Sequence, residues 1–359
     1  MTKVPSKKRA CFFVFLVFML CNMCSHIEPK SFMFEAELVP ERRFLIRDVF
    51  HPEEIHIHND NLILCQVNLA HYFPDIFFQA YSLPDNAYKG SFGRKGRGPG
   101  EWLNPRIIHS SVNAPHLYLW DGASSQKIAF IYKMLLDSML NLIAMDTIPV
   151  DKGYCFMNCP SIKSDSLLMF EEVWPEPAIR IHHLHQEYPV TSWDWSSGSS
   201  LENRLLDKNI GTSLANDSRI VYLYNLQDRV DFMDWNLRLK KRLNFQKTKP
   251  VIHEDTRDNI KYYGNSYLGE HFLYASYSGM SSRERGIKKS TKRILEVFDL
   301  NGTPIYRYIF PEFAPVIFTV DERTFSLYGY RGTNGLEDSI SVYHLSGLRE
   351  YLQEKTVIP

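Results

Sequence analysis

The sequence carries no net charge: 41 Lys and Arg balance 41 Asp and Glu over 359 residues. With no global basic field to hold a polyanion, nucleic acid is set aside as a partner. Acidic or hydrophobically poor stretches of the kind that stay disordered are also absent. There is no Gly-x-Ser-x-Gly, no His-Glu-x-x-His and no EF-hand-like loop, so no local motif announces a catalytic class. Helical stripes of ten or more residues are scarce, the best being the tail Ser346–Lys355, and this argues against helical solenoids. Cysteine is sparse. Beyond the first 24 residues only Cys65, Cys155 and Cys159 remain, and an odd number cannot all pair internally. Cys155 and Cys159 either bridge across a loop or are separate buried thiols. No second Cys/His pair at ligand spacing makes a metal site of them.

What is present begins with a leader. Lys3, Lys7, Lys8 and Arg9 form a basic head, and Cys11 to Leu20 is apolar throughout. This is the layout of a secretory signal, and it is too short for a comfortable membrane span of about 20 residues. Removal of residues 1–23 takes four basic residues from 41 and leaves 37 against 41 acidic, a net charge of −4. Cys21 and Cys24 close the leader, where a lipoprotein carries its acylated cysteine. Cys24, followed by Ser25, is the better candidate and Cys21 the alternative. Leu20 and Met23 precede them where a small residue is usual.

Short strand-like runs then recur. They begin at Leu62, Leu117, Leu167, Ile220, Phe272 and Phe325, at intervals of 55, 50, 53, 52 and 53 residues. A second apolar run follows each: Phe77–Leu83, Lys127–Met134, Ile179–Leu184, Val230–Trp235, Leu295–Leu300 and Ser341–Leu345. Turn chemistry such as Leu83-Pro-Asp-Asn86 and Asp299-Leu-Asn-Gly302 ends several of them. A unit of three to four strands cannot bury both faces of its sheet, whereas six arranged radially can. The chain is therefore expected to be an all-β, six-bladed propeller over residues 51–348. Residues 1–24 are the leader, 25–50 an N-terminal segment with a closing strand, and 349–359 a tail. The segment Phe34–Val49 is expected to pair with the last blade and so close the ring.

The most distinctive stretch is Ser91-Phe-Gly-Arg-Lys-Gly-Arg-Gly-Pro-Gly-Glu-Trp102. It contains Gly93, Gly96, Arg97, Gly98, Pro99, Gly100, Glu101 and Trp102, and its glycines permit turns closed to residues with a Cβ. It lacks the phosphate-binding Gly-x-x-x-x-Gly-Lys-Ser/Thr pattern. Its backbone N–H groups, beside Arg94, Lys95 and Arg97, could hold an anion, but an inter-blade turn packed against the ring is the favoured assignment. The Gly-Arg-Gly-Pro-Gly-Glu-aromatic run, behind such a leader and inside a six-fold β repeat, resembles the TolB-like six-bladed propeller lipoproteins of Bacteroidetes. The resemblance spans about residues 30–348. The family's motif usually ends in Phe or Tyr where this chain has Trp102. It implies a TolB-like or NHL-like propeller exported to the cell envelope, and carries over no residue-level mechanism.

Other candidates are scattered. His56 and His58 share one strand face, and His182, His183 and His185 cluster further on. Glu53, Glu54, Asn59, Asp60, Asp121, Asn216, Asp217 and Asp321 lie near blade entrances, where turns have the same composition. Arg283, Arg285, Lys288 and Lys289 make a basic loop in blade five that would suit an anionic partner. Trp174, Trp193, Trp195 and Trp235 would either stack on sugars or pack between blades. The expectation is a monomeric, exported envelope protein that binds a peptide, a glycan or a protein partner. It would be held at a membrane through Cys24 or Cys21 if acylated, or be periplasmic if not. No cofactor is expected, and Ca²⁺ or Zn²⁺ enters only under the alternative, a hydrolase or lyase with its site at the central channel.

Overall fold

In the computed structural model, residues 30–357 are described apart from 49, 67–74, 84, 97, 99–100, 112–113, 122–128, 139, 151–156, 165, 173–177, 185–188, 195–210, 247–250, 254, 288–292, 312–313 and 333–337. The leader, with Cys21 and Cys24, lies outside the described residues, as does Cys155. Among the described residues no helix is long and apolar enough to cross a membrane.

The strands form six separate sheets. Blade one is Glu54–His58, Asn61–Cys65, Ile76–Ser82 and Tyr88–Lys95, extended by Glu101–Trp102. Blade two is Pro105–Ile108, Leu117–Asp121, Ala129–Leu136 and Leu142–Val150. Blade three is Met157–Lys163, Leu167–Glu172, Ala178–His183 and Pro189–Asp194. Blade four is Gly211–Ala215, Ile220–Tyr224, Arg229–Met233 and Leu239–Asn244. Blade five is Ile260–Leu268, Phe272–Ser281, Arg293–Asp299 and Pro304–Phe310. Blade six is Ile317–Asp321, Ser326–Tyr330 and Ser339–His344.

Each repeat anchor falls in the second strand of its blade, except the last. Phe325 sits one residue before its strand, at a positive φ of 54°, and is buried with Leu327 in the cluster between blades five and six. The period-2 alternation of these strands explains the ring. In blade one, Leu62 and Leu64 face blade six while Ile63 and Cys65 face blade two. In blade two, Leu117 and Leu119 face blade one while Tyr118 and Trp120 face blade three. In blade five, Leu273 and Ala275 face blade four while Phe272 and Tyr274 face blade six. Six apolar clusters result, and each straddles one junction of the ring, including the junction of six with one. A sheet buried on both faces needs such a continuous apolar strand, since neither side meets water.

The N-terminal segment closes the ring, as expected, but by two strands instead of one. Arg42–Leu45 adds antiparallel to Ser339–Val342 as the outer strand of blade six. Before it, Phe34–Glu37 runs parallel to Tyr306–Ile309 on the outer edge of blade five. A chain crossing from one blade edge to the next ties the two together, and Leu38 is buried at that crossing. The tail forms a helix, Leu348–Val357, whose Leu348, Tyr351 and Leu352 pack onto the cluster between blades five and six.

Candidate functional site: the central channel

The first strand of every blade is the innermost, and these six strands enclose a cavity of about 650 Å³. Its lining includes Glu53, Glu54 and His56 from blade one, Asn104, Arg106 and His109 from blade two, Ser161 from blade three, Thr212 and Ser213 from blade four, Asn265, Ser266 and Tyr267 from blade five, and Phe318 from blade six. A second space of about 340 Å³, reached past Asn216, Asp217 and Glu270, shares His109, Tyr267 and Leu268 with the first. Those shared residues partition the two. The His109 and Tyr267 rings meet edge to face, 5.6 Å between centroids. Burial, helped by the nearby His56, lowers the His109 pKa to about 4, so the partition is neutral at ordinary pH.

The channel lining holds one ion pair, and the Glu53 carboxylate near it is exposed. Glu54 accepts from Arg106 Nη1 at 2.9 Å and from the Ile107 N–H at 3.3 Å, with His56 Nε2 at 3.5 Å. Burial opposes ionisation of Glu54, but His56 and Arg106 outweigh it and hold its pKa below the usual carboxylate value. The remaining polar lining is mostly hydroxyl and amide. Trp120 also lines the cavity, and its buried indole N–H has no hydrogen-bond partner among the described residues.

Several carboxylates and amides that the sequence offers as site candidates join neighbouring blades instead. Innermost strands splay where they leave their sheets, and backbone groups freed there need partners. Asp121 accepts the Leu103 and Asn104 N–H groups at 3.0 and 2.8 Å. Asn216 reaches the Gly269 carbonyl at 2.5 Å, Asp321 holds Arg323 at 2.9 Å, and Arg323 also bridges to Asp60 at 2.8 Å. Asn59, at φ 52°, is the turn residue beside them. Two carboxylates absent from the sequence candidates have the same task. Glu171 accepts the Ser213 N–H across blades three and four, and Glu322 accepts the His271 and Phe272 N–H groups across blades six and five. Burial raises both pKa values to about 7. No sequence signal separates these two from ordinary turn acids.

The histidine pairs do not converge. His56 is in the channel, but His58 is buried beside Asn59, and burial with His116 nearby lowers its pKa to about 4. His182 stacks on Phe170 at 5.3 Å, and His185 lies outside the described residues. Among the described residues no three His, Cys, Asp or Glu side chains gather as metal ligands would. Trp193 meets Tyr222 edge to face at 6.1 Å, and Trp235 is buried and donates to the Asn216 carbonyl at 2.9 Å, so both pack between blades three and four. Trp174 and Trp195 are outside the described residues. Cys65 is a buried free thiol, and burial raises its pKa well above the usual value.

The glycine-rich stretch is a self-contained turn in its described part. Gly96 N–H donates to the Trp102 carbonyl at 3.0 Å, and Gly98 N–H to Glu101 Oε2 at 2.8 Å. Arg94 and Lys95 pair in parallel register with Glu101 and Trp102. A Cβ at Gly96 would overlap the Glu101 carboxylate, and one at Gly93, which has φ +78°, would lie 2.4 Å from the Phe78 ring. Trp102 is buried between Phe78 and Tyr132. The Glu101 carboxylate thus occupies the place an anion would take, and Trp102 plugs the junction of blades one and two. Arg97, Pro99 and Gly100 fall outside the described residues. In the basic loop, Arg283 is paired with Asp255 and Asp258, and Arg285 donates to Ser282 Oγ at 3.2 Å. Lys288 and Lys289 are outside the described residues.

No protein-family model matches the chain, and no curated protein does. Solved structures do. The chain is similar to a member of the DUF4221 family from Bacteroides vulgatus, at 12% identity and a TM-score of 0.55, covering 86% of this chain and 97% of that one. It also matches the β-propeller domain of the Trilobed protease from Pyrococcus furiosus, at 9% identity, TM-score 0.43 and 83% of each chain. A third match is U3-55K, at 7% identity, TM-score 0.49, with 86% and 100% covered. At such identities the likeness to the Bacteroides protein is one of fold, and it agrees with the six sheets and six junctions: the chain is a six-bladed β-propeller.

Proposed function

We propose that the protein is an exported, non-catalytic binding module of the bacterial cell envelope, a TolB-like lipoprotein whose central channel takes part of a glycan or peptide. The observation that carries this is the channel itself. It is about 650 Å³, within the size range of small-molecule sites. Its one strong charge pair, Glu54 and Arg106, is mutually satisfied. Beyond that pair and the exposed Glu53, the polar lining is hydroxyl and amide, from Ser161, Thr212, Ser266, Asn104 and Asn265. Uncharged donors and acceptors on a rigid ring suit sugar hydroxyls or peptide backbone, which need orientation more than charge. Envelope residence and a lipid anchor at Cys24 or Cys21 rest on the leader and on the resemblance to the lipoprotein family.

The test is a calorimetric screen of the purified protein against envelope oligosaccharides and short peptides, repeated with Thr212→Val, a change in the channel lining. That change keeps the shape of the side chain and removes the hydroxyl. A ligand that binds the native protein and loses roughly 2–10-fold affinity in the variant supports the channel as the site. Equal binding by both, or no binding from either panel, overturns it. A stoichiometric Ca²⁺ or Zn²⁺ in the purified protein, with cleavage of a panel member, would establish the hydrolase or lyase alternative in its place.

A further inference from the structure

A second constellation lies outside the channel, at the outer part of the junction between blades four and five. Lys30, just ahead of the parallel strand Phe34–Glu37, sends its ammonium into an enclosure that both blades build. Asp228, from a hairpin of blade four, contacts Nζ at 2.8 Å. Glu296, in the third strand of blade five and fully buried, lies 2.8 Å away as an ion pair. The Tyr263 hydroxyl is at 3.2 Å. The Tyr277, Phe245 and Tyr263 ring centroids lie 3.5, 5.0 and 5.1 Å from the nitrogen.

The chemistry of this enclosure is selective. A primary ammonium has three N–H donors; two of them bond Asp228 and Tyr263, and the Glu296 carboxylate pairs with it by charge. The rings add their negative faces, which attract a desolvated cation. Tyr263 and Tyr277 both donate to Asp228, at 3.1 and 3.2 Å, and so hold its carboxylate in place. Arg307 steadies the other oxygen of Glu296 at 3.3 Å and stacks over Phe32. Two carboxylates are thus balanced by one arginine and one ammonium. A quaternary ammonium offers no N–H, and a planar guanidinium does not match these three converging groups.

We propose that this aromatic and acidic cage is a binding site for a primary alkylammonium, occupied by the chain's own Lys30. The resident is attached to the segment that closes blades five and six. An external ammonium, such as a partner's lysine side chain, therefore enters only as Lys30 leaves, and its binding is linked to release of that segment.

The cage can be emptied and refilled. Lys30→Ala deletes the equivalent of n-propylammonium while leaving the backbone. Its melting temperature is expected to fall by about 5–10 °C, because two buried carboxylates lose a partner. Added n-propylammonium should recover at least half of that fall in a saturable manner. Equal concentrations of n-propanol, tetramethylammonium and sodium chloride should not, and the native protein should not respond. Absence of rescue, or equal rescue by n-propanol, overturns the proposal. If the alanine variant does not fold, Lys30→Met decides. It keeps the stem and removes the charge, so melting unchanged from the native protein would reduce the cage to simple packing and refute an ammonium site.

Discussion

The substitution Glu171→Gln isolates what a buried carboxylate does at a blade junction. Glu171 is buried and accepts the Ser213 N–H, and burial raises its pKa from 4.5 to about 7 despite that bond. In the unfolded chain it ionises near the lower value. Between these two values the folded protein holds a proton that the unfolded chain has released. Protons bound in the unfolded state are then fewer than in the native state, so stability falls as pH rises through this window. The separation is roughly 2.5 pH units at about 1.4 kcal/mol each, a penalty of about 3 kcal/mol that is complete above pH 7 and absent below 4.5.

Glutamine keeps a carbonyl oxygen for the Ser213 N–H and cannot ionise. Its amide N–H₂ adds an offset of about 1–3 kcal/mol at every pH if it finds no partner. The slope, not the offset, therefore carries the test. Urea unfolding of variant and native protein at each half unit from pH 4.5 to 8.5 gives a difference in which every other titration cancels. That difference should move in the variant's favour by about 3 kcal/mol across the range, most steeply between pH 5 and 7. A flat difference profile would refute the reasoning, since it would mean that Glu171 ionises in the folded protein as it does in the unfolded chain.

Much of the fold was legible because a propeller repeats its physics. The second and third strands of each blade are buried on both faces, so they surface as apolar runs at a fixed period. The innermost strands were harder to see. Glu54-Ile-His-Ile-His58, whose two histidines read as one strand face, and Gly211-Thr-Ser-Leu-Ala215 line the channel on one side, and their mixed composition makes no apolar run. The closing strand lies inside the expected segment Phe34–Val49, at Arg42–Leu45, but Phe34–Glu37, expected on the same blade, joins blade five. Nothing in the residues Phe-Glu-Ala-Glu distinguishes a parallel edge on blade five from an antiparallel one on blade six. The site was less legible than the fold. Glu53, Glu54 and His56 do reach the channel, yet Asp121 and Asn216 bind backbone groups of the links between blades and Asp321 holds Arg323, with the same chemistry a ligand would need. Lys30 and Glu296 lie 266 positions apart in the sequence, and only the ring brings them together.

One further substitution and one deletion test how the junctions are held. Gly93→Ala places a Cβ 2.4 Å from the buried Phe78 ring at a φ of +78°. Backbone strain of about 1–2 kcal/mol and overpacking of about 1–3 add up, so denaturant unfolding should show a loss of roughly 2–4 kcal/mol, and a loss under 1 would refute the packing account of the motif. Deletion of residues 25–45 removes both closing strands but keeps Ile46 and Phe50, which are buried in the cluster between blades six and one. Blade six then ends at Ser339–His344, whose outer edge loses the ladder to Arg42–Leu45, and blade five loses the parallel pairing at Tyr306–Ile309. The deleted segment contributes modest apolar burial: Arg42, Arg43 and Leu45 are exposed, Leu38 is buried, and Phe32, Ala36 and Phe44 pack partly against the clusters, while Lys30 and its ion pairs are lost with them. If stability were only a matter of these contacts, the deletion would cost more than one core leucine, above roughly 2–5 kcal/mol, and unfolding would stay a single transition. If the segment acts as a clasp, the two blades at the seam lose their mutual restraint, and unfolding ceases to be a single transition. Calorimetry of the deletion protein is expected to resolve an early transition for the blades five and six seam ahead of the main one. A single transition at the native temperature would refute closure by this segment.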